Sequence, residues 1–128
     1  MSAAQVMQRY RDAASRGDFD AAFGMFSEDI VFRIPGSSDW AGEHRGRDAA
    51  MAYIDHARAI GTGVSVQVID QLVSDQRFCL LVEERFHRDG AEDVVIRRAN
   101  VYRVRGDEIA EVWIFEADQA EVDALLAG

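Results

Sequence analysis

At 128 residues, 48% hydrophobic and 29% charged, the chain has the size and composition of a single domain, 1–128, that can bury a core without disulfide staples. Its net charge of −9 argues against a nucleic-acid partner, because phosphate binding needs a positive footprint. All 14 basic residues are arginine, so Schiff-base chemistry through a lysine amine is excluded.

The single cysteine, Cys79, sits in an apolar run and reads as a small buried hydrophobe; with no partner in the chain it fits a reducing compartment. No charged-then-apolar leader opens the sequence, and no apolar run approaches the ~20 residues that cross a bilayer. The expectation is a cytoplasmic protein with no membrane role.

In chain order, Ala3–Arg16 is a helix, with Val6, Met7, Tyr10, Ala13 and Ala14 forming one apolar stripe. Gly17 ends it, and Asp18 caps a short second helix over Phe19–Phe26. Asp29–Ile34 ("DIVFRI") is a strand stopped by "PGSS", and 35–46 is a polar loop holding one large aromatic, Trp40. Asp48–Ile60 is a third helix with Ala50, Tyr53, Ile54 and Ala57 on one side; Gly61 and Gly63 end it. Four strands follow over 64–73, 77–89, 92–104 and 108–116, with turns at Asp89-Gly90 and Gly106-Asp107. Asp118 with Glu121 caps a last helix over 118–126. Helices gathered ahead of an antiparallel meander give an α+β class, with the sheet wrapped around the helices. "RGD" at 105–107 reads as a turn, and "GTG" at 61–63 lacks the strand–loop–helix context of a phosphate loop.

Period-2 alternation selects the inward residues. In 92–104 the row is Ile96, Arg98, Asn100 and Tyr102. In 77–89 one row is Leu80, Val82, Glu84 and Phe86, the other Cys79, Leu81, Glu83, Arg85 and His87. The first is taken as inward; a β-bulge would exchange them. Glu84 then faces Arg98, either as a structural ion pair or as an anchor for a ligand's polar group. Trp40 is a lid or a loop anchor. His56 faces solvent, His44 lies in a loop and His87 near a hairpin tip. No histidine pair has ligand spacing, so neither a metal nor another cofactor is expected. Val112, Trp113, Ile114 and Phe115 leave the last strand no polar face, which suggests burial on both sides and a homodimer through the sheet.

The stretches "RYRDAASRGDFDAAFGMFSEDIVFRIPG", "GEHRGRDAAMAYI" and "NVYRVRGDEIAEVWIFEADQAEVDALL" resemble the SnoaL-like (polyketide cyclase and ketosteroid isomerase type) domains of the nuclear-transport-factor-2-like superfamily. The resemblance implies a cone-shaped curved antiparallel sheet, an α+β barrel, wrapped around three N-terminal helices and enclosing a deep pocket; many members dimerise through the back of the sheet. It also implies that Tyr10 matches a tyrosine donating to an oxyanion and that Asn100 stands where a second, acidic donor is usual. The family's isomerase-type aspartate aligns with Ile34 and its cyclase-type aspartate with Ile114, and isoleucine cannot take a proton. An epoxide-hydrolase-type arginine–aspartate pattern is echoed only as Arg85 and His87. The expectation is therefore a small-molecule-binding domain. Its apolar ligand would carry a polar group, be walled by Phe32, Ile34, Trp40, Tyr53, Val82, Phe86, Tyr102 and Ile114, and be met by Tyr10, Asn100, Arg98 and Glu84. The alternative is an isomerase or cyclase acting on a carbonyl compound, with Tyr10 and Asn100 as donors and Glu84 or a histidine as base. A third reading is an interaction module with no ligand.

Overall fold

The computed structural model describes residues 1–127. In order it contains α1 (Ala3–Ser15), α2 (Phe19–Phe23), β1 (Phe26–Ile34), β2 (Gly42–Arg45), α3 (Arg47–Arg58), β3 (Gly63–Val73), β4 (Arg77–His87), β5 (Val94–Arg105), β6 (Glu108–Glu116) and α4 (Gln119–Ala127). Ser2 and Gln5 form a reciprocal capping box on α1, which satisfies two otherwise free N–H groups. Asp18 caps α2 by accepting the Ala21 N–H at 3.1 Å, as its place before the apolar run predicts. Asp118 accepts the Glu121 N–H at 3.1 Å ahead of α4. Among the described residues no helix is long and apolar enough to cross a membrane.

The strands form one sheet in the order β2-β1-β6-β5-β4-β3. All neighbouring pairs are antiparallel except β1 with β6, which is parallel because the chain crosses between them through the β3–β4–β5 meander. The sheet curves but does not close: β2 and β3 are its two edges, and the helices cover the concave side instead, α3 on β1 and β2, α1 on β4 and β5. The expected cone, a curved and mostly antiparallel sheet wrapped around helices, is therefore what forms, with the sheet open at its β2 and β3 edges. Two boundaries also move. Phe26 belongs to β1 rather than to the second helix, where it is fully buried. The polar loop contains β2, whose residues Gly42, Glu43, His44 and Arg45 include no aliphatic side chain and carry no apolar alternation to announce a strand; it is held by pairing with β1 and by the Arg33–Glu43 contact.

The inner face carries the core. Phe26, Ile30, Phe32 and Ile34 of β1 meet Phe78, Leu80, Val82 and Phe86 of β4 and Ile109, Val112 and Ile114 of β6, under Val6 and Met7 of α1. The inward row of β4 is therefore the one containing Glu84. The outer face is different. Trp113 and Phe115 are 46% and 45% exposed, so in the single chain β6 is buried on one side only. Cys79 is half-buried on that outer face rather than in the core, because it shares a row with Leu72, Val101 and Trp113.

Candidate functional site

Cross-strand register explains why polar groups meet inside this apolar face. Arg98 lies opposite Glu116 on β6 and opposite Val82 on β4, one step diagonally from Glu84. The Arg98 Nε and Nη2 atoms donate to the two oxygens of Glu116 at 2.9 and 2.5 Å, a bidentate pair. Nη1 stands 3.1 Å from Glu84 Oε2. That contact is an ion pair by distance, but it is poorly aligned for a hydrogen bond, and Oε2 is left without one. Arg98 is 9% exposed, the Glu116 side chain 2% and the Glu84 side chain 17%, so the group is largely shielded from solvent, with Glu84 at its edge.

Two carboxylates therefore share one guanidinium in a dry place, and electrostatics must compromise. Burial pushes the Glu84 pKa up; Arg98 opposes this and the like charge of Glu116 reinforces it. Burial disfavours the charged form of Arg98, yet the charge of Glu84 and the contacts with Tyr53 and Glu116 outweigh it and hold the guanidinium charged. Glu84 is the member of the group that holds a proton to higher pH than an ordinary carboxyl.

A second cluster adjoins the first along β5. Asn100 and Tyr102 follow Arg98 on the same face, and Tyr10 of α1 sits against Tyr102 with ring centroids 5.3 Å apart. Part of Tyr10 reaches the surface, but its hydroxyl is buried. Its pKa is raised to about 12 by that burial, with Tyr102 beside it lowering and Glu84 raising it. Tyr102 is likewise pushed up, by burial first and then by Tyr10. Both phenols stay protonated at neutral pH and can donate. Tyr53 of α3 covers the Arg98 side, its own pKa raised by burial against the pull of Arg98. Three side-chain atoms around this group have no hydrogen-bond partner: Tyr53 OH, Glu84 Oε2 and Asn100 Oδ1.

Trp40 closes the rim. Its ring stacks on His56 at 4.6 Å and on His44 at 5.9 Å, and meets the edge of Tyr53 at 6.0 Å. His56 does not face solvent, as its helix position suggested; it is half-buried and bonds the Leu126 carbonyl at 2.9 Å. The Pro35–Ser37 stretch is tied to α4 through Gln119 and Asp123. Trp40 is thus anchored by these rings beside Tyr53.

Of the residues selected from sequence, Tyr10, Tyr53, Val82, Glu84, Arg98, Asn100, Tyr102 and Ile114 share this inner region, while Phe32, Ile34 and Phe86 pack in the surrounding core. The sequence reading missed Glu116, although counting by twos from Val112 and Ile114 places it inward. The resemblance implied a deep opening onto these groups; here rings occupy the face, with Phe78 and Tyr102 stacked at 4.5 Å and Tyr10 against Phe26 at 6.2 Å. Two surface concavities of about 380 Å³ each lie elsewhere, one between α4 and the start of β5, the other beside the β5–β6 turn, and neither is lined by Glu84, Arg98 or Asn100.

A family model described as a SnoaL-like domain matches residues 7–112. Among solved structures, Bal32a from a soil-derived mobile gene cassette superposes with a TM-score of 0.82 at 22% identity, covering 96% of this chain and 95% of that one. An NTF2-like protein of unknown function from Burkholderia pseudomallei gives 0.77 at 18% identity, over 97% and 96% of the two chains. TerC, co-crystallised with polyporic acid, gives 0.77 at 9% identity, over 97% of each. At these identities the structural likeness shows the fold alone. No protein of curated function matches the sequence.

Proposed function

The chain belongs to the SnoaL-like domain family, and on that premise we propose that it binds a small, mostly apolar molecule against the Tyr53–Glu84–Asn100 edge of its inner face. The observation that carries this reading is the set of three buried polar atoms that make no well-aligned hydrogen bond, Tyr53 OH, Asn100 Oδ1 and Glu84 Oε2, the last held only by its ion pair with Arg98. Buried polar groups are almost always hydrogen-bonded, and each one left unpaired costs about 1–3 kcal/mol. A ligand hydroxyl or other hydrogen-bond donor placed among them relieves that cost, while Val82, Ile114 and the neighbouring rings take up its apolar body. That TerC shares the fold and was co-crystallised with polyporic acid supports the ligand class and supplies a first probe.

The test is a titration of polyporic acid, and of simpler hydroxylated aromatics, followed by thermal shift and by tryptophan fluorescence. Binding that weakens about tenfold or more in Asn100→Ala and in Tyr53→Phe supports the site, on the scale of one lost buried hydrogen bond. Binding that is unchanged in both variants, or absent for every probe while water is found on the three atoms, sinks it.

A second reading, an isomerase- or cyclase-type enzyme acting on a carbonyl compound, is favoured by the raised Glu84 pKa beside two protonated phenols. Tyr10 and Asn100 would polarise the carbonyl and Glu84 would move the proton. Its signature is hydrogen–deuterium exchange at the α-carbon of a bound ketone, lost in Glu84→Gln; exchange that survives that change removes Glu84 from the role.

The chain pairs, in the same proposal, as a homodimer through the outer face of the sheet. Leu72, Cys79, Val101 and Trp113 form one row of cross-strand partners there, with Leu81, Ala99 and Phe115 beside them.

A further inference from the structure

The opposite face of the sheet brings together three side chains that the ligand site does not use, one pair hydrogen-bonded and the other in contact by distance. Ser65 Oγ lies 3.1 Å from His87 Nε2, and His87 Nδ1 lies 3.2 Å from Asp93 Oδ2. The register makes this arrangement. Gly63 pairs with His87 and Ser65 with Arg85, so Ser65 is one diagonal step from His87 on the outer face. Phe86 pairs with Val94, so the next position beyond the ladder sets Asp93 opposite His87. The three side chains converge from β3, β4 and the start of β5 although 28 positions separate Ser65 from Asp93 (93 − 65).

We propose that Ser65, His87 and Asp93 form a nucleophile–base–orienter set that cleaves small activated esters at the open face of the sheet. The order of contacts fits those roles. A carboxylate on Nδ1 selects the tautomer with its proton there, which leaves the Nε2 lone pair to accept the Ser65 hydroxyl proton. Arg85, directly across the ladder from Ser65 and 3.5 Å from Asp93, supplies the nearest positive charge to a developing oxyanion. β3 is an edge strand, so backbone N–H groups on its free side add donors close to Ser65.

The step balances with water as the only co-reactant. Ser65 Oγ attacks the ester carbonyl carbon, and its proton passes to His87 Nε2. The carbonyl–alkoxy bond then breaks, and the leaving alcohol takes that proton. Water, deprotonated in turn by His87, attacks the acyl-Ser65; the bond from the acyl carbon to Ser65 Oγ breaks, Oγ takes the proton back from His87, and the acid leaves. The concavity of about 380 Å³ beside α4 includes Asp93 but neither Ser65 nor His87. The acyl group therefore rests on an open surface, which selects short acyl chains with good leaving groups and gives weak substrate binding.

The experiment uses the full chain with a fluorophosphonate probe and with p-nitrophenyl acetate. The probe is expected to label Ser65, located by peptide mass spectrometry, and the labelling rate is expected to fall roughly 100-fold in His87→Ala, the lower end of what a positioned base contributes. Ester cleavage should fall in Ser65→Ala to the level set by free imidazole. In Asp93→Asn the nitrogen chemical shifts of the His87 ring should show loss of the Nδ1–H tautomer together with a fall in the Ser65 labelling rate, and it is the linked fall that a merely structural contact would not produce. Ser65, His87 and Asp93 all reach solvent, so the variants keep their fold, as far-ultraviolet circular dichroism checks. Labelling at other serines, or a Ser65 labelling rate unchanged in His87→Ala, overturns the proposal.

Discussion

Replacing Arg98 by methionine would remove the one positive charge that two buried carboxylates share. Met fills similar volume and keeps the apolar stem, so the change isolates the charge. Glu116 loses both of its bonds to Arg98, at 2.9 and 2.5 Å, and Glu84 loses its ion pair at 3.1 Å. Breaking a buried pair from one side costs about 3–5 kcal/mol, because the stranded charge cannot return to water. A domain of this size has about 5–15 kcal/mol of stability in total. At roughly 3–5 °C per kcal/mol, the melting temperature should fall by about 10–20 °C. Urea unfolding followed by tryptophan fluorescence measures the loss directly. The deficit should shrink as pH falls, since the stranded carboxyls can take up protons and become neutral. The triple variant Arg98→Met, Glu84→Gln, Glu116→Gln should recover most of the stability, as no charge then remains inside. A single-variant loss under about 1 kcal/mol that does not change with pH would show that the carboxylates are hydrated, and would refute the burial argument.

Glu84 supplies a prediction of the opposite kind. Its folded-state pKa is raised, so its contribution to stability is complete below the ordinary carboxylate pKa and is lost as pH rises through the raised value. Glu84→Gln removes that titration; relative to the parent, the variant should gain stability as pH rises above the ordinary carboxylate range, read from urea midpoints. Tyr53→Phe deletes a buried hydroxyl that has no partner, so the free protein should be unchanged or more stable by up to about 1 kcal/mol in thermal unfolding, even though ligand binding weakens. On the outer face, Trp113→Arg puts a charge into the apolar row through which the chain is proposed to pair. Light scattering should then show a monomer where the parent is a dimer, and a parent that is monomeric at high micromolar concentration would contradict the pairing. Gly61→Ala should destabilise, because the backbone there has φ +67° and the added carbon would sit 2.2 Å from the His87 carbonyl oxygen; denaturant unfolding checks it.

The parts of this protein legible in its sequence are those set by neighbours along the chain. Alternation placed Glu84, Arg98, Asn100 and Tyr102 on one inward face, since the side-chain period of a strand is a local property. Apolar stripes and capping residues located α1, α3 and α4 to within a few positions. The resemblance of three long stretches to SnoaL-like domains carried the helix-then-meander order. β2 was not legible, because four residues with no aliphatic side chain among them form a strand only through their pairing with β1.

What tertiary structure decided was register and closure. Which carboxylate meets Arg98 depends on how β6 slides along β5, and that pairing brought in Glu116 beside the expected Glu84. The Ser65–His87–Asp93 chain depends on two registers at once, between β3 and β4 and between β4 and β5. A shift of one residue in either would turn its side chains to the other face. The place of Trp40 beside Tyr53 depends on the His44 and His56 rings that hold it and on α4 docking behind them. Local pattern determined which residues look inward; only the folded sheet determined which of them share a proton, a charge or a partner.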